Sequence, residues 1–215
     1  VVVAIAIAVS MGVKPYLFAA AFAALLGYAL NAFPLHTLPT RFWLALAIKG
    51  AEAVRLTSVQ SWLADLAIAA GTELCTHLLE PLRDTFGGLN IRSGFRAAAL
   101  NDFGNRNRLN CASNEKDYAG HIWDRRDAAG HMGATACVVL PSFADKYADG
   151  ADWRALAWWI HDHLPYAYLQ FFPKLCAFNI QWHERPRKRI DSFIAPRGCL
   201  TKPGMVNHDG EHSDW

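Results

Sequence analysis

The chain has no Cys-x-x-Cys pair, and its five cysteines, Cys75, Cys111, Cys137, Cys176 and Cys199, are odd in number and scattered. That pattern excludes a zinc ribbon, a thioredoxin-type redox site and a disulfide-dense secreted scaffold, and leaves one or two disulfides open. Charge is scarce too. Charged residues make up 19% and the net charge is only +2, too balanced for gripping phosphate backbones over a broad surface, so no nucleic-acid partner is expected. Internal repeats and low-complexity tracts are absent. Apolar residues are plentiful: 53% hydrophobic, with a mean hydropathy of +0.08. This excludes a disordered or fibrous chain. A length of 215 residues suits one domain with an appendage.

The apolar residues are unevenly spread. From Val1 to Leu30 the only charge is Lys14, and Tyr16 to Phe33 is an uncharged run of 18 residues. A bilayer core needs roughly 17–25 apolar helical residues, so this run predicts a transmembrane helix within residues 1–33; the competing reading is a buried core helix pair. No basic start marks a signal peptide. Pro34 and Pro39 then punctuate the chain, and Lys49, Glu52, Arg55 and Asp65 interrupt the next apolar stretch. Residues 34–72 therefore read as a linker and an amphipathic helix, with a domain boundary near Gly71.

Beyond the boundary, Leu74–Phe86 has helical periodicity and stops at Gly87-Gly88, and Leu89–Arg92 alternates as a short strand. It runs into Ser93-Gly94-Phe95-Arg96, and the segment Leu78–Asn101 resembles the first signature of the zinc D-alanyl-D-alanine peptidase family. That family includes carboxypeptidases and L-alanyl-D-glutamate endolysins. Its motif is Ser-Gly-Tyr-Arg-Ser-x-x-Leu-Asn; here Ser93, Gly94, Arg96, Leu100 and Asn101 match and Phe95 replaces Tyr. The resemblance implies that Arg96, supported by Ser93, holds a substrate carboxylate or carbonyl, a role that suits the guanidinium fork. The alternative is an Arg tying down loop carbonyls.

The second family signature is His-x-x-x-Gly-x-Ala-x-Asp before an apolar strand. The text from Gly130 to Phe143 aligns with one residue deleted: His131 takes the place of the first zinc ligand and Cys137 that of the expected Asp. A thiolate is a competent zinc ligand, but Asp124, Asp127 or His121 could complete the shell instead, and Cys137 could be a small buried hydrophobe. The third signature, a Leu-Pro strand leading to Trp-x-His, resembles Leu164–Leu169 and Ala177–Glu184 and makes His183 the last ligand. The carboxylate base expected before it is missing. Asp127, Asp124, His121 and Glu184 are the substitutes, although Glu184 should point to the opposite strand face from His183.

The resemblance covers residues 74–192, over half of the chain. It implies an α+β fold, a small antiparallel sheet with packed helices, over residues 73–193, with an extended polar tail at 194–215. It implies a Zn²⁺-dependent hydrolase of peptidoglycan stem peptides, with metal ligands His131, Cys137 and His183, catalytic groups Arg96, Asp127 and Glu184, and Ser93 and Arg96 binding substrate. The setting would be the periplasmic or envelope face of a membrane, attached through the N-terminal segment, or a bacteriophage virion. A catalytically inactive peptidoglycan-binding or virion/envelope module is the alternative, since two catalytic positions are altered. His161 and His163, at the end of the helical stretch Ala151–His163, would compete as a metal pair with His131 and His183 but read better as complements to the helix dipole. His208 and His212 are too loosely spaced to assign.

Overall fold

A computed structural model describes residues 58–213. The expected transmembrane segment 1–33 and most of the 34–72 linker lie outside the described residues. Among the described residues no helix is long and apolar enough to cross a membrane. Trp62–Trp215 forms one compact unit.

Leucine spacing shapes the first element. Leu66, Ala70, Leu74, Leu78 and Leu82 are all buried and recur every four residues. At 3.6 residues per turn, each such step overshoots a full turn by about 40° and the stripe would wind off the packed face. Helix α1 (Ser58–Leu74) meets this drift with a π turn at Cys75–Leu79 before α2 (Glu80–Phe86). The wider turn absorbs an extra residue and returns Leu78 and Leu82 to the core. The helical run passes through Gly71 without a break and stops at Gly87, whose φ of 84° suits glycine.

Strand β1 (Asn90–Ser93) and helices α3 (Ala98–Arg106) and α4 (Asn114–Asp117) precede a long loop into β2 (Gly133–Val139). Then come α5 (Pro141–Ala148), α6 (Trp153–His163), β3 (Tyr168–Phe171), β4 (Phe178–His183), β5 (Arg189–Ser192) and β6 (Gly198–Thr201). The strands form one six-stranded sheet in the order β1-β2-β4-β3-β5-β6. The class is α+β, as expected, but the sheet is mixed: β3 and β5 run parallel while every other neighbouring pair is antiparallel. The cause is the loop 184–188, which leaves the end of β4, passes over the start of β3 and enters β5 opposite Tyr168. The strand expected over Leu164–Leu169 begins late, at Tyr168, because Pro165 has no N–H for a ladder and the Tyr166 ring is fully buried.

Alternation splits the sheet into unlike faces. Register puts Ala134, Ala136, Val138, Ile180, Phe178, Leu169, Phe171 and Ile190 on one face, all of them buried. Helices cover this face: the π turn lies against β4, Trp153 of α6 packs on Phe171 with centroids 5.1 Å apart, and Phe86 of α2 meets Trp159 edge-on at 4.8 Å. Thr135, Cys137, Asn179, Gln181, His183, Tyr168, Gln170, Arg189 and Asp191 share the other face. That face is polar, and the loop before β2 folds across one end of it.

Gly133 is the tightest point of this arrangement. It pairs with His183, and a Cβ there would press on the Ala119 carbonyl oxygen and lie 2.8 Å from His183 Cδ2 and 3.0 Å from the Trp182 oxygen. Gly133→Ala should therefore destabilise the fold by about 1–3 kcal/mol, a loss that urea unfolding would register as a lower midpoint.

Candidate metal centre

The antiparallel pairing of β2 with β4 sets Gly133 beside His183, so a residue two before Gly133 arrives at the same rim of the sheet. That residue is His131. The turn carrying it is closed by Asp127, whose Oδ1 accepts the backbone N–H groups of Ala129 and His131, both at 2.9 Å. The other carboxylate oxygen, Oδ2, lies 3.2 Å from His183 Nε2, and Oδ1 is 3.6 Å from His131 Nδ1. The two imidazole centroids are 5.7 Å apart. Burial alone would raise the Asp127 carboxyl, but the two amide bonds and the neighbouring imidazoles outweigh it and hold the group below its usual range. Histidines 52 positions apart thus meet at one carboxylate.

The other expected site residues are placed differently. Cys137 pairs with Asn179, four positions along β2 from Gly133, which at about 3.3 Å per residue is roughly 13 Å from the His183 pairing. It packs against a small cluster of Val139, Ala144 and Ala177, and burial pushes its thiol up despite the nearby Arg92. Cys137 therefore stands apart from the two histidines as a partly buried thiol. Glu184 is committed as well: its Oε2 accepts the Met132 N–H at 2.7 Å and faces Arg126 at 3.4 Å. Asp124 is half-buried with one oxygen, Oδ1, lacking a partner, and burial raises its carboxyl.

Arg96 lies in a different environment. Its Nη1 donates to Asn101 Oδ1 at 2.7 Å and reaches Cys111 Sγ at 3.2 Å and Asp117 Oδ2 at 3.4 Å, while its backbone N–H bonds the His121 carbonyl. The guanidinium therefore ties α3, α4 and the loop between them together. His121 is held by Gly94 and Asp117. Ser93 and Arg96 also line a recess of about 370 Å³ rimmed by Phe95, Leu100, Phe103 and Leu109; His131 and His183 are not among its lining residues.

No family model, no curated protein and no solved structure matches this chain. The chemistry has to be read from its own residues.

Among the described residues one group of three donors brings its ligand atoms within 4.8 Å of one another: His161, Asp162 and His212, which could hold a metal ion. The Asp127, His131 and His183 donors are of types zinc accepts but stand further apart than this. His161 is buried at the end of α6, and His212 arrives from the tail, its Nδ1 2.7 Å from Asp162 Oδ1 and its ring stacked 3.9 Å from that of Trp158. The sequence offered a faint signal here, since His208 and His212 are spaced four apart and His161-Asp162 is a donor pair at a helix end. The tail that delivers His212 has no periodicity to predict its path. Asp117, the partner of Arg96, carries no sequence signal at all.

Arg96→Ala should remove the Asn101 and Asp117 contacts and lower stability by on the order of 2 kcal/mol, measured by chemical denaturation. A side chain reserved for substrate would leave stability unchanged. His121 supplies a pH prediction. Burial first, then the Arg96 charge, lowers its pKa against the smaller opposing effects of Asp117 and the Gly94 carbonyl. Below about pH 6.5 the unfolded chain takes up a proton that the folded chain refuses. Stability should fall as pH drops from there through the lowered folded value, and His121→Asn should flatten that slope in urea midpoints taken between about pH 5 and 8.

Proposed function

We propose that the chain is a zinc-dependent peptidase of the D-alanyl-D-alanine peptidase type, acting on peptidoglycan stem peptides, in a membrane-tethered envelope or virion setting. The observation that carries this reading is the meeting of His131 and His183 at Asp127 on the polar rim of the sheet. Two imidazoles and a carboxylate suit zinc, and Asp127 replaces Cys137 as the third ligand. Zinc held there would polarise a peptide carbonyl and lower the pKa of its bound water.

The chain's own groups supply the rest. His183 Nδ1 lies 3.1 Å from the Arg185 carbonyl, an oxygen that can accept its N–H and so leave Nε2, on the Asp127 side, with the lone pair a metal needs. The bonded turn Asp127–His131 fixes the carboxylate against both rings. Ser93 and Arg96 line a recess together with Phe95, Leu100, Phe103 and Leu109, which is able to seat a short peptide with its carboxylate near the guanidinium.

A second reading, a non-catalytic peptidoglycan-binding or structural module, is favoured by one observation: Arg96 and Glu184 already spend their charges within the fold. Turnover separates the two. Zinc-loaded chain should release product from a stem pentapeptide, with His131→Ala and His183→Ala each lowering kcat/KM at least 100-fold and Cys137→Ser changing it less than about threefold. Retention on sacculi without product from the zinc-loaded chain would favour the non-catalytic module.

A further inference from the structure

The C-terminal segment is bound at a point that the peptidase reading does not use. Beyond β6, Asn207 Nδ2 donates to the Leu200 carbonyl at 3.0 Å and His208 Nδ1 lies 3.2 Å from Thr201 Oγ1. The His208 carbonyl then meets His161 Nε2 at 2.8 Å, and His212 closes on Asp162 through both its backbone N–H, at 2.8 Å, and its Nδ1. The Asp162 and His212 side chains keep only 15% and 11% of their surface exposed. Tail and α6 therefore share a cluster of nitrogen and oxygen donors, with His161 buried, His212 half-buried and Asp162 on the outer side.

We propose that this cluster is a structural site for a divalent transition metal of the zinc class, held by His161 Nε2, Asp162 and His212 Nδ1 and fastening the tail to α6. The donor atoms already gather within 4.8 Å. A second observation points the same way. A metal-ligating imidazole donates its other ring N–H to an oxygen, which fixes tautomer and orientation. Both rings are set for this: His161 Nδ1 lies 2.7 Å from the Tyr166 hydroxyl, and His212 Nε2 lies 3.2 Å from the Asn207 carbonyl. The His208 carbonyl is placed to serve as a fourth donor, and two imidazoles with oxygen ligands suit zinc better than the all-oxygen shells of calcium or magnesium.

Proton bookkeeping is simple. In the metal-free cluster hydrogens occupy the inner positions, on His161 Nε2 toward His208 and on His212 Nδ1 toward Asp162. As the metal enters, the His161 proton moves to Nδ1, where the Tyr166 oxygen accepts it, and the His212 proton moves to Nε2, where the Asn207 carbonyl accepts it, so both rings bind as neutral imidazoles. The site joins the tail to α6, so its effect is on the tail.

The test uses full chain stripped with chelator and carrying His131→Ala and His183→Ala, so that the sheet-rim site cannot contribute. Titration with Co²⁺ should give one equivalent with the visible absorption of a four-coordinate ion, and Zn²⁺ should displace it. Asp162→Asn and His212→Ala, each added to that background, should weaken binding at least tenfold, and Tyr166→Phe, which keeps the ring, should weaken it 10–100-fold. Zn²⁺ should slow tryptic cleavage at Arg197 in the parent and have no such effect in the His212→Ala chain. No bound equivalent in the parent, or affinity unmoved by Asp162→Asn and His212→Ala, overturns the proposal.

Discussion

The close pairing of Gly133 with His183 is the constraint on which the rest of the structure depends. Only a residue without a side chain lets the Ala119 carbonyl, the β4 backbone and the His183 ring crowd around β2 at that point. The loop before β2 is held by the same approach: Gln181 Nε2 donates to the Ala119 carbonyl, Thr135 N–H to Gly120, and the Trp123 indole to Thr135. Once those bonds are made, the turn Asp127–His131 comes to rest at the sheet rim. The two imidazoles meet because strand register and loop length leave them nowhere else to go.

The mixed sheet follows from a similar economy. Residues 184–188 cross one strand width and must cap α6 on the way. Lys188 does this with its ammonium, donating to the carbonyls of His161 and Leu164, the orphan acceptors of a helix C-terminus. Burial lowers the Lys188 pKa, with Asp162 opposing. Lys188 thus works inside the fold, and it links the rim bearing His183 to the helix end bearing His161.

Much of the scaffold was legible in the sequence. Periodicity located the helix ending at Phe86, the strand entering Ser93 and helix α6, while the resemblance supplied the strand bearing His183 and the expectation that His131 and His183 would converge. The α+β class was implied by the resemblance, and the element order agreed with it. What the sequence misplaced has physical causes. Cys137 matched a motif position, but motif alignment ignores the pleat and the register, which carry it four residues along the strand from the rim. Asp127, named only as a substitute, holds the central place because a turn carboxylate satisfies two amides and an imidazole at once. Arg96 received a substrate role from the resemblance, and the fold adds two partners invisible in one dimension, Asn101 and Asp117. The tail histidines were unassignable because only tertiary contact with α6 gives their spacing meaning.

The central claim is that His131 and His183 share one cation with Asp127 and without Cys137. Zinc K-edge X-ray absorption on the full chain carrying His212→Ala tests it most directly, because the tail site is then disabled. The account predicts about one bound zinc with two imidazoles and oxygen near 2.0–2.2 Å and no sulfur. A sulfur shell near 2.3 Å, or a chain that retains no zinc, would contradict it.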